Sequence, residues 1–139
     1  VKSIFTPQLD TLPAPQQRLW PELRQIPPEF ILYGGTAISL RLGHRQSIDF
    51  DFFGHRDLDL QALTDAVTFL RDAQTIQRDR NTLTVMVDRD GPIKLSFFGV
   101  PRLLRLLPPD VAPENNLQVA SLLDLAGTKA SVIQVRAEA

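Results

Sequence analysis

The sequence contains no cysteine in its 139 residues. That absence removes disulfides, thiolate-held zinc and thiol nucleophiles together, and it fits a reducing compartment, so a cytoplasmic location is the expectation. Long apolar runs are missing too. No stretch approaches the roughly 20 residues of a membrane-spanning helix, and the opening VKSIFTPQLD is broken by polar residues and Pro7 before a signal-peptide core can form. A membrane is therefore not an expected partner. Charge of one sign is also lacking: the net charge of -1 argues against a polybasic nucleic-acid binder. Arg41, Arg45, Arg56, Arg71, Arg78 and Arg80 do fall within one stretch, and they read as a solvated surface.

Proline is scarce where it matters. Six of the eleven prolines precede residue 29, and none lies between Glu29 and Gly91. Proline interrupts helices and central strands, so that interval is where regular structure can run unbroken. The expected organisation is one domain over 1–139, with a proline-rich helical segment over 1–28 and a core over 29–139. At 43% hydrophobic residues the chain can bury a substantial core.

What is present reads as alternating strands and helices. LPAPQQRLWPELRQIPPEF predicts one or two short helices, with Trp20 against the core. FILYGG is a short apolar strand ended by glycines, and TAISLRLGH a helix with Thr36 as N-cap and Gly43 as its stop. SIDFDFF reads as the next strand, and DLDLQALTDAVTFLRDA as one amphipathic helix with Leu60, Leu63, Val67 and Leu70 on a stripe. TLTVMVDRDGPIKLSFFG predicts a hairpin around Asp90-Gly91-Pro92. PRLLRLLPPDVAPENN predicts a short helix and then a loop, and Ser121 with Asp124 forms a capping box for a last helix. The class is α/β or α+β, with a mixed sheet flanked by helices.

The chemistry concentrates in GGTAISLRLGHRQSIDFDFF, residues 34–53. Side chains on a strand alternate faces, so Asp49, Asp51 and Phe53 share one side while Ile48, Phe50 and Phe52 face the other. Two neighbouring carboxylates repel unless a cation sits between them, and a divalent ion held partly by substrate phosphates answers that need. Gly34 and Gly35 stand at a helix start, where bare N–H groups and the positive helix end favour phosphate. A nucleoside triphosphate with Mg2+ (or Mn2+) requires both features. Salt bridges from Asp49 and Asp51 to Arg41 or Arg45 are the alternative. Arg45 and Lys94 are further candidates for phosphate contact.

YGGTAISLRLGHRQSIDFDFF resembles the first motif of the nucleotidyltransferase superfamily, and its Gly-Gly-Thr-Ala, Gly-His-Arg and Ser-x-Asp-x-Asp-Phe-Phe elements resemble the AbiEii-type nucleotidyltransferase toxin family. VASLLDLAGTKASVIQVR resembles the helix in which that family carries a lysine. The resemblance implies a nucleotidyltransferase-like fold and transfer of a nucleotide monophosphate from an NTP to a protein or RNA acceptor, in a toxin–antitoxin or phage-defence setting with a cognate antitoxin. It assigns the triphosphate to Gly34, Gly35 and Thr36, metal ligation to Asp49 and Asp51, and a catalytic contact with phosphate or a nearby carboxylate to Lys129. Two departures stand out. Ser96 in IKLSFF occupies the place of the superfamily's third carboxylate, with Lys94 on its face, and the family continues beyond Ala139. Those departures admit a catalytically inactive binding or regulatory module as the alternative.

Overall fold

A computed structural model describes residues 3–43 and 49–127. Near the N-terminus α1 (Ala14–Leu19) follows Pro13 at its cap, and a 3-10 helix spans Trp20–Gln25. Proline here starts helices, where its missing N–H has no intrahelical role. Trp20 is buried as expected, and its indole N–H donates to Glu114 across 3.2 Å. Glu22 accepts two hydrogen bonds from the Arg89 guanidinium, at 2.7 and 2.8 Å, fastening this segment to the turn of the predicted hairpin.

The rest is built on a seven-stranded mixed sheet. Its strands are β1 (Phe30–Tyr33), β2 (Asp49–Gly54), β3 (Gln74–Asp79), β4 (Thr82–Asp88), β5 (Pro92–Gly99), β6 (Asp110–Val111) and β7 (Gln118–Val119). Their spatial order is β3-β4-β5-β2-β1-β7-β6, which puts the Asp-x-Asp strand at the centre. β2 runs antiparallel to β1 and parallel to β5. The alternation read from the sequence is realised: Phe50 and Phe52 are fully buried, while Asp49, Asp51 and Phe53 are half-buried on the other face. Phe52 stacks on Phe97 at 5.1 Å and Phe30 meets Phe97 edge-on at 5.6 Å, so aromatic packing anchors the central strands from the core side.

Four expectations need correction. α2 (Gly34–Leu42) begins at Gly34, with Tyr33 as N-cap, so Thr36 lies inside the first turn. Its hydroxyl instead donates to the Asp49 carbonyl, tying α2 to β2. Gly43 does end the helix, in the left-handed conformation at φ 70°. The single helix expected over 57–73 is two pieces, α3 (Leu60–Ala66) and a 3-10 helix at Thr68–Asp72. Val67 is extended at the break, where adjacent β-branched Val67 and Thr68 weaken helix continuation and Gln25 accepts the Thr68 N–H. The stripe survives the break, since Leu63, Val67 and Leu70 are all buried. PRLLRLLPPDVAPENN forms no helix, because Leu106 and Leu107 donate their N–H groups to Asp124 and Pro108-Pro109 forbid continuation. Finally, Arg41 is not a solvated surface residue: it donates to Asp110 at 2.9 Å and to the carbonyls of Val119 and Ala120, pinning α2 to the β6–β7 edge.

The capping box is present. Ser121 Oγ accepts the Asp124 N–H at 3.1 Å and donates to the Asp124 carboxylate at 2.8 Å. Burial alone would raise the Asp124 pKa, but the bonds from Leu106, Ser121 and Leu107 and the nearby Arg105 charge hold it below the ordinary carboxylate value. The stabilisation it gives is therefore complete above the ordinary aspartate range and is lost as the pH falls through the lowered folded value. Asp124→Ala leaves the Ser121 cap on the helix but removes the carboxylate that accepts from the Ser121 hydroxyl and from the Leu106 and Leu107 N–H groups, and is expected to cost about 2–3 kcal/mol near pH 7. Urea unfolding at pH 7 measures that loss. An unchanged midpoint would mean that the loop over 106–107 is held by other contacts.

Candidate functional site

The site is assembled where β1 ends and β2 begins. Tyr33 is the strand partner of Asp51, so the turn into α2 lies directly beside the second carboxylate. Gly34 takes a positive φ of 79°, and a Cβ placed on it would stand 2.6 Å from Asp51 Oδ2. Glycine is required there twice over, for the backbone angle and for the close approach. The first turn of α2 thus presents Gly34 and Gly35 next to the carboxylate face, with N–H groups that no intrahelical acceptor satisfies.

Asp49 and Asp51 occupy successive outward positions on β2. Their partners on β5 are Lys94 and Ser96 respectively, so two carboxylates, an exposed ammonium and a hydroxyl lie on one patch of the sheet. The Asp51 pKa is raised, first by burial and then by the charge of Asp49, with Lys94 opposing. Neither aspartate forms an ion pair among the described residues, and Arg41 is committed to Asp110, which removes it as the partner of the pair. Ser96 is buried and shares a 3.0 Å hydrogen bond with Thr84 on β4. Its hydroxyl is engaged within the sheet, where a third acidic residue would complete a ligand set. Among the described residues no cluster of three or more His, Cys, Asp or Glu side chains forms.

This donor set fits one kind of metal binding. Mg2+ and Mn2+ accept one or two carboxylates when phosphate oxygens and water complete the shell. Two carboxylates that form no ion pair among the described residues, one of them raised in pKa first by burial and then by its neighbour, match that requirement, whereas an ion held by protein side chains alone is not matched. Thr36 donates its hydroxyl to the Asp49 carbonyl, which ties α2 to β2 beside the carboxylates. Arg45, His44 and Lys129 lie outside the described residues.

The sequence reading passed over three contributors. Tyr33 stacks on Phe53 at 4.7 Å, and its buried hydroxyl finds no partner among the described residues. Thr84 holds Ser96, and Arg105 comes from the 100–109 loop to the electrostatic neighbourhood of Tyr33. Only Tyr33, at the junction of an apolar strand with a glycine pair, carried a local signal.

Known proteins resemble this chain in sequence and in fold. The family model described as nucleotidyl transferase AbiEii toxin, type IV toxin–antitoxin system, matches residues 22–139. An uncharacterized protein of Aquifex aeolicus is 33% identical over 110 residues, covering 78% of this chain and 52% of its own length. A crystal structure from H. pylori, provisionally named a nucleotidyltransferase, superposes with a TM-score of 0.59 at 19% identity, over 83% of this chain and 56% of the other. The chain therefore spans about half the length of these relatives. The fold is that of a nucleotidyltransferase.

A raised Asp51 pKa carries a consequence for stability. The ionised carboxylate costs folding free energy above the ordinary aspartate pKa, and the cost disappears as the pH falls below it. Without divalent metal, Asp51→Asn is expected to melt at or above the wild-type temperature at pH 7, the two converging toward pH 3. Thermal melts across that range decide the point. A variant melting several degrees lower at pH 7 would show that Asp51 is stabilised by a partner within the protein.

Proposed function

The chain belongs to the AbiEii nucleotidyl transferase toxin family, and on that footing we propose that it binds an NTP with Mg2+ (or Mn2+) and transfers the nucleotide monophosphate to an acceptor. The single observation that carries this reading is the contact of the Gly34 turn with Asp51. It sets a phosphate-binding helix end against two carboxylates that form no ion pair among the described residues.

In this reading the triphosphate lies along the first turn of α2, accepting hydrogen bonds from the Gly34 and Gly35 N–H groups. Asp49 and Asp51 hold the divalent ion, which when bound neutralises charge on the phosphates. Lys94, beside Asp49 on the neighbouring strand, contributes a cation toward the same phosphates. Arg45 and Lys129 are the family-derived candidates for further phosphate contacts. The acceptor hydroxyl attacks the α-phosphorus in line. A new P–O bond forms, the bond to the β-phosphate oxygen breaks, pyrophosphate departs, and the hydroxyl proton passes to solvent. Gly34 and Gly35 hold the reacting phosphate still, which is where most of the rate gain in such transfers arises. A protein or RNA acceptor, a cognate antitoxin and a cytoplasmic setting complete the proposal. Among the described residues no helix is long and apolar enough to cross a membrane.

A second reading has its own observation. Ser96, bonded to Thr84 where a third carboxylate would stand, favours a domain that binds nucleotide without turning it over. One experiment separates the two. Each α-labelled NTP is incubated with Mg2+ and a cell extract, and label transfer to macromolecules is followed for wild type, Asp49→Ala and Gly34→Ala. Transfer by wild type that falls about 100-fold or more in both variants supports the enzyme. Nucleotide binding with no transfer supports the inactive module, and neither binding nor transfer rejects both.

A further inference from the structure

The carboxylate face continues past Asp51 into a cleft. Its walls are Ile31 and Phe53 from the sheet, His55 just beyond β2, and Pro101, Leu103 and Arg105 from the loop that follows β5. Phe53 projects on the same side as Asp51, two residues further along the strand, a distance of about 7 Å. Ile31 is the direct strand partner of Phe53. The cleft and the aspartates therefore share one surface without a strand between them.

We propose that this cleft receives the nucleoside end of the donor nucleotide, and so selects which NTP is used. The inference rests on the placement of the triphosphate at Gly34, Gly35 and the aspartates. Size is the first argument. The cleft measures about 310 Å3, at the lower end of the range for small-ligand sites, which suits a nucleoside and not a whole nucleotide with its phosphates. The lining chemistry is the second. Ile31, Phe53, Pro101 and Leu103 offer apolar surface to a flat base, while Arg105 and His55 supply donors and a planar cation that stacks on rings.

The roof over the cleft is preformed. Val100 N–H donates to the Gly54 carbonyl at 2.7 Å, Leu103 N–H to Val100 at 3.0 Å, and Leu106 and Leu107 to the Asp124 carboxylate. A loop fastened at both ends loses little freedom on closing over a ligand. Two other cavities among the described residues are poorer candidates. A cleft of about 370 Å3 has Arg56 paired with Glu29, so Asp57 and Asp59 leave its lining acidic against a nucleotide, and it reaches Phe30 on the core side. A third, of about 320 Å3, opens under α3 against Leu83 and Val85, on the sheet face away from the aspartates.

The test compares the four NTPs with inorganic tripolyphosphate, each with Mg2+, by calorimetry on wild type, Leu103→Trp and Arg105→Ala. Leu103→Trp fills the cleft, and Arg105→Ala removes an exposed cation with little risk to the fold. Wild type is expected to bind at least one NTP about ten-fold or more tightly than tripolyphosphate, as one stacked base contributes. Both substitutions are expected to shrink that preference while tripolyphosphate affinity stays within about two-fold. Equal affinity of wild type for NTP and tripolyphosphate would overturn the nucleoside site while leaving the triphosphate site standing. So would a preference that both variants retain in full. No binding of either ligand by wild type would overturn the triphosphate site, and the cleft assignment with it.

Discussion

The approach of the Asp51 carboxylate to the Gly34 backbone is the constraint on which the site depends. Only a residue without Cβ fits at 34, because a Cβ there would stand 2.6 Å from Asp51 Oδ2. The contact brings a helix N-terminus, which attracts anions, against a carboxylate, which attracts cations. Burial, and then the charge of Asp49, raise the Asp51 pKa, so keeping that carboxylate ionised beside the helix end carries a cost.

Several features serve to keep that arrangement in place. Thr36 ties the first turn of α2 to the Asp49 carbonyl, and Arg41 ties its last turn to Asp110, Val119 and Ala120. Behind β2 the stacked rings of Phe50, Phe52 and Phe97 fill the core, so the central strand cannot slip by one residue without turning its aspartates inward. On the carboxylate face Tyr33, the strand partner of Asp51, stacks on Phe53 and steadies the two strands there. Core packing thus fixes the register, and the register fixes the chemistry.

Much of this was legible in the sequence. The period-2 alternation of SIDFDFF, the glycine stop at Gly43, the β4–β5 hairpin and the Ser121–Asp124 box each have a local cause, and each is present. What was not legible depended on distant partners. β3 is exposed along its whole length, so it has no apolar alternation to announce it and exists because β4 offers an edge. The helix expected within PRLLRLLPPDVAPENN is lost to Asp124, more than a dozen residues away. Arg41 looked like surface until Asp110, a partner at a separation of 69, was brought to it. Within the site the glycines and aspartates were readable as a motif. The Thr84–Ser96 bond and the placement of Arg105 were not, since strand order and loop path decide them.

The pairing of an open carboxylate dyad with a helix end is tested most directly by placing a paramagnetic ion in it. Amide NMR spectra would be recorded during titration with Mn2+ in the presence of a nonhydrolysable NTP. The result expected is early broadening of Gly34, Gly35, Asp49 and Asp51, with Asp51→Asn abolishing it. Broadening centred instead on Glu29, Asp57 and Asp59, or spread evenly over the acidic surface, would contradict the assignment of Asp49 and Asp51 as the metal-holding pair.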